Sequence, residues 1–209
     1  MSADSAPLRV AVLASGRGSN LQAILDATRV PGFPARVAVV ISDRDTAPAL
    51  ARAAAAGVST VFVNPKDHPD RVAYDAALLS VLDAHRIGLV CLAGFMRLLG
   101  PALVRSYAGR MLNIHPSLLP AFPGLGAQRQ ALDHGVKVSG ATVHLVDEGL
   151  DSGPIVLQAC VPVAADDTVE SLSARILVEE HRLYPEAIRL FAEGRLVISG
   201  RRVAVKERS

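Results

Sequence analysis

With 209 residues the chain is long enough for one generous domain or, at most, two small ones. Hydrophobic residues make up 50% and charged residues 20%, which excludes a disordered chain, and with 4% aromatics and no Trp the core must be aliphatic. A formal net charge of +2, with no Lys/Arg run beyond Arg201-Arg202, excludes a general electrostatic drive toward nucleic acid.

In chain order, residues 1–7 are small and polar and predict a disordered start, without the charged start and apolar core of a signal peptide. No apolar run approaches a membrane span, so the expectation is a cytoplasmic protein with no membrane partner. Val/Ile/Leu-rich runs recur at 8–14, 37–41, 58–63, 89–93 and 111–114, the pattern of buried parallel strands. Ala/Leu-rich stretches with polar residues at helical spacing separate them, at 20–28, 47–56, 70–86 and 101–107. This alternation predicts an α/β fold: a Rossmann-like, mostly parallel sheet with right-handed crossovers and helices on both faces.

After residue 114 the pattern changes. Residues 116–126, rich in Pro and Gly, are too long and too broken for a plain connector and have the character of a binding loop or lid. Residues 140–146 alternate small or polar with apolar side chains and predict a half-buried strand carrying Thr142 and His144 on one face. Residues 155–163 predict a further strand, pairing antiparallel with it around the 149–153 loop. A long helix is expected over 168–192, with Asp167 as cap, Glu170 three residues on, Gly194 beyond its end, and Pro185 as a kink or break. Ser199-Gly200 between apolar residues predicts a short hairpin within 195–205, which completes a C-terminal antiparallel part. No repeat, low-complexity tract or linker divides the chain, so 1–209 reads as a single domain with 195–209 as hairpin or tail.

Four segments carry candidate chemistry. Ser15-Gly16-Arg17-Gly18-Ser19-Asn20 joins the first strand to the first helix, and its glycines let backbone amides approach an anion at a helix N-terminus. It lacks the third glycine of a dinucleotide fingerprint and the Gly-Lys-Ser/Thr ending of a P-loop. A phosphate monoester is therefore favoured over NAD or ATP, the alternative being a simple tight turn. Gly94-Phe95-Met96-Arg97-Leu98-Leu99 follows the fourth strand, at the edge where open α/β proteins bind ligands, and either holds a flat heteroaromatic ring or belongs to the core. Asn113-Ile114-His115-Pro116 puts an amide and an imidazole on one face of an extended segment, with Pro116 disfavouring helix. That pair suits acyl transfer, the amide donating to a developing oxyanion and the histidine carrying a proton; the alternative is a capping Asn beside a structural His. Gly149-Leu150-Asp151-Ser152-Gly153-Pro154 holds one carboxylate, either a turn former or, folded over His115, a group that favours the imidazolium and holds a water.

His68, His85, His134 and His181 lack partner spacing and no HExxH or comparable cluster occurs, so no metal is expected. His144 is the one other histidine on a strand face, and its expected role is structural. Cys91 and Cys160 sit in apolar runs without a CxxC pair, which fits a reducing compartment and supports neither a disulfide framework nor a zinc knuckle.

Taken together, SGRGSNLQAI, LAGFMRLL, AGRMLNIHPSLLP with PG after it, GATVH, LDSGP and EEHRLYPEAI agree in identity, order and spacing with one family. From residue 8 to 196 the chain resembles the folate-dependent phosphoribosylglycinamide formyltransferases of purine biosynthesis. The resemblance implies transfer of a formyl group from the cosubstrate 10-formyltetrahydrofolate to the glycyl amine of glycinamide ribonucleotide. By matching position it implies that Gly18, Ser19 and Asn20 bind the substrate phosphate and that Glu180 faces the ribose. It implies that Arg71, Met96, Arg97, Leu98 and Leu99 bind the folate, with Asn113 contacting the formyl group. His115 is then the proton donor, and Asp151 favours its protonated form and orders the loop or a water.

Two departures limit the transfer. Gly126-Ala127-Gln128 replaces a His-containing stretch of some members, so pH-dependent ordering of that loop is not carried over. Leu177 stands where some members have a polar residue near the phosphate, so phosphate binding rests more on the first loop. Among rivals, methionyl-tRNA formyltransferase normally adds a C-terminal RNA-binding domain, and formyltetrahydrofolate hydrolase an N-terminal regulatory one. A non-catalytic nucleotide-binding protein needs the first loop but not Asn113, His115 and Asp151 together. Both monomer and homodimer remain open.

Overall fold

The computed structural model describes residues 6–207, so the expectation of a disordered start lies, for residues 1–5, outside the described residues. The five apolar runs fold as β1 (Leu8–Leu13), β2 (Ala35–Ser42), β3 (Ser59–Phe62), β4 (Leu89–Leu92) and β5 (Met111–His115). Between them lie α1 (Ser19–Thr28), α2 (Pro48–Ala55), α3 (Arg71–Ala84) and α4 (Pro101–Ser106). Local chemistry starts these helices: α2 and α4 open on a proline, and the Asp70 side chain caps α3 by accepting from the Ala73 N–H. The five strands pair in parallel in the order β3-β2-β1-β4-β5. Strand order thus reverses between β1 and β4, and open sheets of this kind form their ligand crevice beyond the carboxyl ends of the strands at that point.

The chain then continues through α5 (Ala127–Asp133) into β6 (Val138–Leu145) and β7 (Ile155–Pro162). Both strands join the same sheet antiparallel, making seven strands with β6 between β5 and β7. The half-buried character expected for β6 is corrected: all of its residues after Val138 are buried. A central strand is covered on both faces, and its small and polar residues face loops and the site rather than water. The helix α5 was not anticipated; it starts at the departing Gly126-Ala127-Gln128 segment, with Gly126 left-handed at its cap.

The long helix, α6 (Val169–Ala192), is capped by Thr168 in a reciprocal box with Ser171, which corrects the expected Asp167 and Glu170 pair. Asp167 instead accepts from the Ala164 N–H, the Ser171 hydroxyl and Arg175. Nor does Pro185 break the helix, which runs through it. Leu183, Tyr184, Ala187 and Ile188 around it are buried, and that packing offsets the one missing N–H bond. As expected, β8 (Leu196–Ser199) and β9 (Arg202–Val205) form a separate hairpin.

Two aliphatic cores lie on opposite faces of the sheet. Val10 and Val12 of β1 face α1, α2 and α6, whereas Ala11 and Leu13 face α3 and α4, the period of two expected of a strand covered on both sides. Fully buried Tyr184 places its hydroxyl 2.9 Å from the carbonyl oxygens of both Leu92 and Leu112, tying α6 to the end of β4 and the first half of β5. Among the described residues no helix is long and apolar enough to cross a membrane.

Candidate active site

The loop from β1 to α1 ends on Gly18, which is left-handed at φ 72° and serves as the helix cap. No side chain caps α1 and no acidic residue occupies its first turn, so the free N–H groups and the positive end of the helix dipole are left for a ligand. Glycine is required twice over, since a Cβ at residue 18 would lie 2.9 Å from Ala49 Cα and Cβ. Buried Ser15 donates its N–H to the Gly94 carbonyl at 3.0 Å and accepts from the Met96 N–H through its hydroxyl at 2.9 Å. The loops after β1 and β4 are thereby held together across the switch point.

Asn20 donates from Nδ2 to Glu180 Oε2 at 2.7 Å. Burial pushes the Glu180 carboxyl above its usual range, and the hydrogen bond from Asn20 only partly counters it. The other oxygen of Asn20, Oδ1, is buried without a partner, an acceptor suited to a ligand donor. Leu177 lies half-buried on the turn of α6 before Glu180.

Beyond β4, the 94–99 segment divides between core and surface. Phe95 and Leu99 pack against the core under α3 and α4, while Met96 and Leu98 are 62% and 69% exposed. The Arg97 guanidinium lies 5.5 Å over the Tyr74 ring, with Nη1 3.9 Å from Asp43 Oδ2. Arg71 opens α3 beside Gly100, whose N–H donates to Asp75 Oδ2 at 2.6 Å and fixes the end of this segment.

Asn113 and His115 share a face of β5, and antiparallel pairing with β6 sets His144 opposite Asn113 and Thr142 opposite His115. The loop after β6 folds back over them. Asp151, itself left-handed at φ 47°, places Oδ2 3.4 Å from His115 Nδ1. Its Oδ1 lies 3.4 Å from Asn113 Nδ2 and 3.6 Å from His144 Nε2. Asp151 also accepts the Gly124 N–H at 2.8 Å, which latches the 116–126 loop to the 149–153 loop. Its carboxyl is held down at about 2, first by hydrogen bonding with His144 and further by the Gly124 N–H and the charge of His115, against burial acting upward.

The remaining contacts give each ring nitrogen a partner. His115 Nε2 lies 2.8 Å from the Phe122 carbonyl while Nδ1 faces Asp151, so both nitrogens meet acceptors and both are satisfied when the ring carries two protons. His144 donates from Nδ1 to the Leu145 carbonyl at 2.8 Å, leaving Nε2 3.1 Å from Asn113 Nδ2. With a neutral ring Nε2 accepts from Asn113; with a charged ring it donates to Asp151. Thr142 Oγ1 donates to the Ser117 carbonyl at 2.6 Å and accepts the Leu119 N–H at 3.1 Å, which holds the chain leaving β5.

Asn113, His115 and Asp151 therefore converge, with Gly18, Ser19, Asn20 and Glu180 forming a second group on α1 and α6 and residues 94–99 a third. His144, given a structural role from sequence, belongs to the first group; the available signal was its place on one strand face with Thr142. A cavity of about 440 Å³ bordered by Arg86, Tyr107 and Arg110 lies at the opposite, starting ends of β4 and β5 and takes in none of these residues. Among the described residues no group of three or more His, Cys, Asp or Glu side chains is placed to hold a metal ion.

An amide, two imidazoles and a carboxylate gathered on β5, β6 and the loop after them, one strand beyond the switch point of an open α/β sheet, suit the transfer of an acyl group. The chain belongs to the formyl transferase family, whose model matches residues 8–188, and within it to the phosphoribosylglycinamide formyltransferases. It is 48% identical to phosphoribosylglycinamide formyltransferase of Mycobacterium tuberculosis over 207 residues, covering 96% of this chain and 95% of the relative. The crystal structure of glycinamide ribonucleotide transformylase 1 from Symbiobacterium toebii superposes with a TM-score of 0.96 at 58% identity, covering 99% of this chain and 100% of that one. The trifunctional purine biosynthetic protein adenosine-3 of Bos taurus is 50% identical over 186 residues, 89% of this chain, which spans only 18% of that longer protein.

Proposed function

We propose that this chain transfers the formyl group of 10-formyltetrahydrofolate to the glycyl amine of glycinamide ribonucleotide; the names of its relatives give formyl transfer and this acceptor. The observation that carries the reading is the convergence of Asp151 and His115 beside Asn113. Two further groups, at the loops after β1 and β4, are candidate half-sites. The uncapped start of α1 at Gly18, Ser19 and Asn20 takes the phosphate, with Glu180 toward the ribose. Met96, Leu98 and Leu99, with Arg71 and Arg97, take the folate. Both substrates are soluble metabolites, in keeping with a cytoplasmic location.

In the reaction the neutral glycyl amine attacks the formyl carbon and a new C–N bond forms. Asn113 Nδ2 and protonated His115 donate to the oxygen as it gains charge, while Asp151 stabilises the positive ring. Collapse breaks the bond from the formyl carbon to the folate nitrogen, and a proton leaves the amine for that nitrogen, with water held by Asp151 as the carrier. Engaging substrate requires His115 to exchange the Phe122 carbonyl, which occupies Nε2, for the formyl oxygen.

The test follows folate absorbance with glycinamide ribonucleotide present or absent. Acceptor-dependent formyl transfer is expected; release of formate without acceptor indicates a hydrolase, and no signal a binding protein. Asn113→Ala and His115→Ala should each lose at least about 100-fold in turnover while remaining folded, the usual cost of one such donor. Wild-type turnover in both variants would sink the assignment.

A further inference from the structure

Opposite the free amides of the β1–α1 loop, its carbonyls are engaged by α2. The Gly16 carbonyl accepts the Ala49 N–H at 3.2 Å, a donor that the first turn of α2 leaves without a helical partner. The next carbonyl, of Arg17, accepts Arg52 Nε at 2.8 Å. Arg52 extends further, from Nη1 to Gln22 Oε1 at 3.3 Å, and Gln22 Nε2 donates to Asp26 Oδ1 at 2.9 Å. One guanidinium thus braces both the loop and the second turn of α1.

A trans peptide is planar, with its C=O and the following N–H pointing in opposite directions. Turning the Arg17 carbonyl toward Arg52 therefore turns the Gly18 N–H away from Arg52, just ahead of the Ser19 and Asn20 amides that begin the helix. Packing prevents the loop from relaxing toward α2, because Gly18 already sits against Ala49 with no room for a Cβ. We infer that Arg52, outside the residues assigned to substrate, is a positioning residue for the nucleotide phosphate: its fork fixes the Arg17–Gly18 peptide so that the amides aim at the anion. A lysine keeps the charge but not the two-pronged geometry. This inference rests on the substrate reading above.

Steady-state kinetics on Arg52→Ala and Arg52→Lys test it. In Arg52→Ala the KM for glycinamide ribonucleotide should rise about tenfold, while kcat and the KM for 10-formyltetrahydrofolate stay within about twofold. Inhibition by inorganic phosphate should weaken by the same factor. Arg52→Lys should retain at least about half of the KM defect on a logarithmic scale. An unchanged nucleotide KM in Arg52→Ala, full rescue by lysine, or an equal loss in all three constants overturns the positioning role. Should Arg52→Ala not fold, Arg52→Lys alone decides. Calorimetric titration with glycinamide ribonucleotide separates the two readings: wild-type protein that binds it without formylating it defeats the functional proposal alone, and Arg52→Ala protein that binds it as tightly as wild type defeats this one alone.

Discussion

Replacing Asp151 with Asn changes little volume and removes the negative charge shared by Asn113, His115, His144 and the Gly124 N–H. A bare charge pair at the 3.4 Å separation from His115 is worth about 5 kcal/mol at an effective dielectric near 20. The descent of the carboxyl from 3.8 to about 2 gives a smaller figure, roughly 2 kcal/mol, which already contains the cost of burial and is the one to use. With the side chain only 12% exposed, solvent screening removes little of it. That figure is shared among the His144 hydrogen bond, the Gly124 N–H and the charge of His115, so only part of it acts on the His115 ring, and kcat at neutral pH falls about 3- to 30-fold. The same coupling has a stability signature. A depressed carboxyl contributes fully above its unfolded value of 3.8 and loses its contribution as pH falls toward about 2. Urea unfolding should therefore show wild type losing roughly 2 kcal/mol more than Asp151→Asn between about pH 4 and pH 2. A variant with kcat within about threefold of wild type and a parallel acid profile would refute the electrostatic argument.

Gly18→Ala combines left-handed strain with overlap against Ala49, so urea denaturation should show a loss of about 2–4 kcal/mol together with a raised nucleotide KM; unchanged stability counts against the packing. Glu180 is pushed upward by burial, so its charged form weakens the fold as pH rises through that raised value. Glu180→Gln should accordingly raise the thermal midpoint above neutral pH by about 2–4 °C and weaken nucleotide binding about tenfold. A lowered midpoint, or an unaltered KM, contradicts the first or the second part of that expectation respectively.

The parallel half of the sheet was legible because strands covered on both faces need continuous aliphatic runs, and Val10 to Leu13 alternate between two cores rather than between core and water. The position of β6 was less legible: its composition suggested one wet face, and only pairing with β5 reveals that its polar residues Thr142 and His144 face the site and its loops. The helix cap was misread by one residue, since Asp167 and Thr168 are both good cap residues and the choice turns on the Thr168–Ser171 exchange. For the site, the β1–α1 loop announced itself through glycines whose backbone the fold needs. The contact from Asp151 to His115 was legible only as one of two readings of its loop and through the family resemblance, because it depends on a left-handed aspartate and on the Gly124 N–H across two loops. His144, on a strand face able to reach the site, reads as structural from sequence because its contacts depend on cross-strand register, which one strand read alone does not contain.

Glu180 and Tyr184 stand one helical turn apart on α6: the first holds Asn20 at the start of α1, the second holds the carbonyls of Leu92 and Leu112 just before the 94–99 segment and Asn113. One rod therefore gauges the spacing between the two proposed half-sites. Bond formation requires the attacking nitrogen and the formyl carbon to meet within about 3–3.5 Å, so a small change in the tilt of that rod alters the approach of both substrates at once. Substitutions in the packing beneath Tyr184 should then act as changes of calibration, slowing the chemical step while each substrate still binds alone.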